Sequence, residues 1–144
     1  MTVEEAVIAR LVGHEAVDAL VAGRVWNLML PENPRLPAVR VQLIAGGATY
    51  HLRGGSLVER SRVQVDAYAG VESGGDPYAA AVAVADAVQV ALSGGAPYAV
   101  GGSPADVVIL GAFAEPRMPL YEPGALRLVR MLQDYQIWAR RRAS

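Results

Sequence analysis

The sequence predicts an α+β domain: an antiparallel or mixed β-sheet with an N-terminal helix and a central helix packed on one face. Three observations carry this. The elements run helix, strands, helix, strands, without the regular alternation of strand and helix that builds a doubly wound parallel sheet. Several segments alternate apolar and polar residues at a period of two, as strands with one buried face do. Two others repeat apolar residues at helical period. With 144 residues, 53% of them hydrophobic, the chain carries enough apolar surface for one core and reads as a single domain over residues 1–144.

Thr2 and Glu5 stand at capping-box spacing, and Val7, Ile8, Leu11 and Val12 follow at helical period until Gly13, which predicts a first helix over residues 3–12. A second short helical turn holds Val17, Leu20 and Val21 before Gly23 and depends on packing for its stability. Val25 to Leu30 reads as a strand. Pro31, Pro34 and Pro37 then make an extended loop that cannot enter a sheet interior. Val39 to Leu43 alternates cleanly, and Thr49 to Leu52 reads as a short strand or as one arm of a protruding hairpin. Leu57 to Ala69 is the longest strand, with Val63, Val65 and Ala67 on one face and Arg62, Gln64, Asp66 and Tyr68 on the other.

Asp76-Pro77 is a cap followed by proline at the first helical position, and Tyr78, Val82, Ala85, Val88 and Leu92 mark one face of the central helix until Gly94. Val107 to Ala114 is an apolar strand, Pro116 to Gly124 a loop with three prolines, and Leu126 to Trp138 the closing strand. Residues 139–144 form a basic C-terminal tail. In the closing strand Val129, Met131, Tyr135 and Ile137 oppose Arg130, Leu132, Asp134 and Trp138, so neither face is simply polar. One face on the core and one on a partner explains that pattern. Gly-Gly pairs beginning at Gly46, Gly54, Gly74, Gly94 and Gly101 act as punctuation between elements.

The composition removes several chemistries. There is no cysteine, hence no disulfide, thiolate metal site or cysteine nucleophile. Every basic residue is arginine, first of all the mark of a GC-rich genome, and without lysine there is no Walker phosphate loop and no Schiff base. A formal charge of −1 lacks the positive excess that drives nucleic-acid affinity. The acidic start at Glu4-Glu5, with no uninterrupted apolar stretch of about 18 residues, predicts neither a standard export signal nor a membrane span.

No constellation of catalytic, cofactor-binding or metal-binding residues emerges. His14 and His51 lie in different elements without ligand spacing and read as surface or capping histidines. The serines lack a nucleophile elbow. Asp66, inside an alternating strand, reads as a structural hydrogen-bonding acid. Gly94 to Gly102 reads as a flexible connection, and Arg140-Arg141-Arg142 as a solvated end. The candidate interface residues are Tyr50, Arg53, Arg60, Met118, Tyr121 and Trp138, with Trp26 a further large apolar group; any that share an exposed patch become anchors. The segment Gly46 to Ser56 is expected to be mobile in the free subunit and ordered by a neighbouring subunit or by a partner, because glycine pairs bracket Tyr50, His51, Leu52 and Arg53.

Three segments carry a family likeness: the opening helix with Ala19-Leu20-Val21-Ala22-Gly23-Arg24-Val25; Gly55 to Ala69 leading into the alanine-rich helix; and Tyr121-Glu122-Pro123 before the closing strand. From Met1 to Trp138 the chain resembles the tail completion, or tail terminator, proteins of long-tailed phages, prophages and gene transfer agents. The resemblance implies a non-enzymatic, cofactor-free subunit of a ring, commonly hexameric, at the head-proximal end of the tail tube. Such a ring stops tube polymerisation and meets the head–tail connector. Its implied partners are copies of itself, the tube protein and the connector; DNA passes through the lumen without specific binding, and no membrane is involved. The resemblance places it in the virion, assembled in the host cytoplasm. Alternatives are a head–tail adaptor or minor tail protein of the same particle, or a small host ligand-binding domain or enzyme.

Overall fold

The structure, a computed structural model, describes residues 1–51, 54–124 and 127–142; where it covers residues 48–51 and 54–57 it gives the backbone alone. Helices α1 (Val3–Val12) and α2 (Glu15–Val21) lead into strand β1 (Val25–Asn27), followed by the long strands β2 (Ala38–His51) and β3 (Gly54–Ala69). A 3₁₀ turn (Val71–Ser73) precedes α3 (Pro77–Ser93), and β4 (Tyr98–Val100), β5 (Val107–Ala114), β6 (Met118–Glu122) and β7 (Leu128–Arg141) complete the chain. The sheet runs β1-β2-β3-β7-β5-β4, with β6 also paired to β7. β1 is parallel to β2 and the other pairs are antiparallel, so the sheet is mixed and the fold is α+β.

The first and third helices begin where their caps stand. Thr2 and Glu5 bond reciprocally as a capping box, and the Tyr78 amide donates to Asp76 Oδ1 at 3.0 Å. The core-facing stripe of α3 is Ala81, Val84, Ala85, Val88, Ala91 and Leu92. That stripe is rotated from the expected one, and Tyr78 is exposed, because alanines rather than the largest side chains seat the helix close to the sheet. The buried residues of all three helices join Val39, Val41, Val63, Val65, Val107, Ile109, Tyr135 and Ile137 in one core, which places the helices on one face of the sheet.

Several expected boundaries move. β1 stops at Asn27 instead of Leu30 because Leu28 adopts a left-handed backbone (φ 67°) that ends the strand. Gly46-Gly47 does not separate elements but lies inside β2, whereas Gly54-Gly55 opens β3. A Cβ on Gly46 would stand 2.8 Å from Ser61 Oγ across the ladder, so glycine there permits close approach within a strand. The region 116–124, expected to be a loop, contains β6, whose Pro119 is tolerated because β6 is an edge strand. β4 likewise lies inside the expected connection 94–102. β7 runs on to Arg141, burying Ala139, so residues 139–141 belong to the sheet. Arg141 pairs with Glu59 at 2.6 Å and Arg142 with Asp106 at 3.1 Å, so the basic end is tied down.

Candidate assembly surface

Residues directly opposed across antiparallel strands share a face. The face of the sheet away from the helices therefore carries the rows Arg40–Asp66–Leu132–Met118, Gln42–Gln64–Asp134, Arg62–Gln136–Phe113 and Arg60–Trp138. One end of this face is covered. Leu36, from the proline-rich loop, packs there with Ala38 and Tyr68, flanked by Leu30 and Leu128.

Beneath that cover Asp66 is fully buried and accepts from Arg40 Nη2 at 2.6 Å and from Gln64 Nε2 at 2.9 Å, with Arg130 Nε 3.5 Å away. The acid is structural, as its place in the strand predicted. Burial raises the Tyr68 hydroxyl above its ordinary pKa, an effect opposed by the Arg130 and Arg40 charges.

The other end is open. Ala45, Gly46, Gly47, Arg60, Arg62, Phe113, Gln136 and Trp138 line a concavity of about 770 Å³. The Arg60 guanidinium lies 5.6 Å from the centroid of the Trp138 ring, within cation–π range. Arg62 is held by Asp134 at 2.6 Å. Phe113, 60% exposed, forms a wall. Gly47, opposite Arg60 on this face, keeps the floor low by placing no side chain over it.

The structure thus brings Arg60 and Trp138 together and puts Met118, 54% exposed, on the same face beside Leu132. Tyr121 pairs with Val129, a core-side residue, and so belongs to the opposite face, at the β6 edge, where it is 60% exposed. The Tyr50 side chain and all of Arg53 lie outside the described residues, as does the His51 side chain. Trp26 is exposed on β1, at the far edge of the sheet. His14 occupies the N-cap position of α2 without capping it through its side chain.

One polar cluster escaped sequence reasoning. Gln133 occupies a core-side position of β7, 6% exposed, where it accepts from Tyr135 Oη (3.2 Å) and Arg117 Nε (3.1 Å) and donates to the Glu115 carbonyl (2.9 Å). Arg117 also reaches Asp86 at 2.7 Å and Gln89 at 2.9 Å on α3. This clamp ties the approach to β6 to the helix layer. A glutamine at a position where apolar residues alternate was its only sequence signal. Burial pushes the Tyr135 hydroxyl far up and that of Tyr98 to about 12. Among the described residues no three acids or histidines gather as a metal site, and no helix is long and apolar enough to cross a membrane.

A surface of exposed aromatics and arginines over a complete core is the arrangement of an assembly subunit, and the family comparison agrees. The family described as tail completion protein gp17 matches residues 5–140. The chain belongs to this family. Membership makes it a structural protein of phage-type tails, working among other tail proteins. No curated protein sequence matches the chain. The fold is similar to a chain in the structure titled "Virion of native gene transfer agent (GTA) particle", with a TM-score of 0.67 and 18% identity over 96% of this chain and 94% of that one.

Proposed function

We propose that the protein forms a ring, six subunits in the particle, that terminates the tail tube at its head-proximal end and joins it to the head connector, without catalysing a reaction. Family membership over residues 5–140 carries this reading. The likeness of the fold to a chain of a gene transfer agent virion supports it. A ring needs two different contact surfaces on each subunit, because head-to-tail contacts between unlike patches are what close a cycle. The exposed residues supply them: Trp26, Leu28 and Met29 at the β1 edge, and Phe113, Met118 and Tyr121 towards the other side of the sheet. Arg60 with Trp138 is the charged and aromatic pair best built to anchor a partner. Tyr50 and Arg53 are proposed contacts of the same assembly.

Electron microscopy of assembled tails tests this directly. The expected result is ring density of this chain at the head-proximal end, and its absence there overturns the proposal. Deleting the gene is expected to give tails of uncontrolled length, or tails that fail to join heads, while heads still package DNA; normal infectious particles would count decisively against it. The Tyr50→Ala, Arg53→Ala double variant is expected to impair assembly while leaving the isolated domain folded.

A further inference from the structure

The open edge of β2 is the least guarded strand edge in the described part of the fold. β1 pairs with β2 only at Val39 to Val41. The Val39 amide donates to the Arg24 carbonyl and the Val41 carbonyl accepts from Leu28, so odd-numbered backbone groups of β2 point towards that edge. By the two-residue period of a strand, the N–H and C=O of Leu43 point the same way, past the end of β1. Leu43 to Gly47 are all exposed. From Val41 to Tyr50 the sequence has no charge and no proline.

Proteins ordinarily protect such an edge with charge, proline or brevity, and β6 and β4 are protected in this way. β6 carries Pro119, and β4 is three residues long. The bulge between Leu43 and Ala45 bends β2, which sets the angle at which a strand can join. We infer that this edge, from Gln42 to Gly47, pairs in the assembled particle with an extended segment of a second copy of the chain. The occupant follows from the chemistry of the strip. With no charge it offers nothing to select a charged partner, and apolar, charge-depleted contacts characterise permanent contacts between identical subunits. The inference rests on the ring reading above and names one of the two unlike surfaces that the ring requires.

Because the chain has no cysteine, Ile44→Cys provides a single attachment point for a benzophenone maleimide on an exposed side chain. The labelled protein is assembled into tails and irradiated. The expected product is an adduct of two copies, twice the 15.2 kDa of the chain, together with at least tenfold slower exchange of the Leu43 amide in wild-type tails than in the free protein. Cross-linking to a different particle protein overturns the inference. So does unchanged Leu43 exchange in tails where microscopy shows the ring, and in that case the ring reading stands. Tails that contain the chain but show no ring remove the proposed function, while the adduct still reports whether copies meet at β2.

Discussion

Replacing Asp66 by asparagine keeps the shape of the side chain and removes its charge. The fully buried carboxylate sits 2.6 Å from Arg40 and 3.5 Å from Arg130, so the variant leaves two guanidinium groups facing each other without an anion. Breaking a buried pair costs about 3–5 kcal/mol. The arginine side chains are 20% and 22% exposed, so water relieves part of the repulsion and the lower end, about 3 kcal/mol, applies. At about 2.1 cal/mol/K per residue, a chain of 144 residues has an unfolding entropy of about 0.3 kcal/mol/K, which turns that loss into a Tm drop of about 10 °C. Thermal and urea unfolding followed by circular dichroism at pH 7 measure both quantities. Adding Arg40→Ala to the variant should cost at least about 1 kcal/mol less than the separate losses predict, since both changes break one interaction. A Tm drop under about 3 °C, or strictly additive losses, would refute the argument that this charge cluster holds the three strands in register.

The clamp at Arg117 predicts a local effect. Arg117→Ala should cost about 1–2 kcal/mol through the lost bonds to Gln133 and Gln89, with little from Asp86, whose side chain is 63% exposed. Limited proteolysis should then cut faster between residues 115 and 124, and an unchanged cleavage pattern would rule the clamp out. Gly94→Ala places a Cβ 2.5 Å from the Val90 carbonyl oxygen, forcing a backbone shift that costs about 1–3 kcal/mol, whereas Gly47→Ala meets nothing within 4 Å and should change stability by less than about 0.5 kcal/mol; paired urea melts test the contrast. The Tyr98 hydroxyl, raised to about 12 by burial against an ordinary value of 10.0, favours the fold in its neutral form. Its stabilisation is therefore complete below pH 10 and is lost as pH rises from 10 towards 12. Tyr98→Phe should flatten the fall of the urea midpoint between pH 9.5 and 11.5, and an equally steep fall in the variant would refute the assignment.

The caps at Thr2 and Asp76, the extent of α1 and α3, and the two-faced alternation of β3 and β7 were legible because each is set by residues a few positions apart. So was the family, whose likeness is spread along the whole chain. Tertiary structure alone decided β4 and β6. Strands of three and five residues next to prolines have too little pattern to announce themselves, and they exist because β5 and β7 offer them backbone partners. It also decided the fate of the glycine pairs: the sequence that makes a turn in isolation makes a close crossing when Ser61 stands opposite. The arginine partners were equally hidden. Asp66 meets Arg40 and Arg130 only because β3 lies between β2 and β7, and Gln133, which has Tyr135 beside it on β7, gains Arg117 only because the segment before β6 folds back against that strand. Local hydrogen bonding and periodicity are properties of short segments, whereas pairings across tens of residues depend on which strand lies beside which, and that order is settled by burial of the core as a whole.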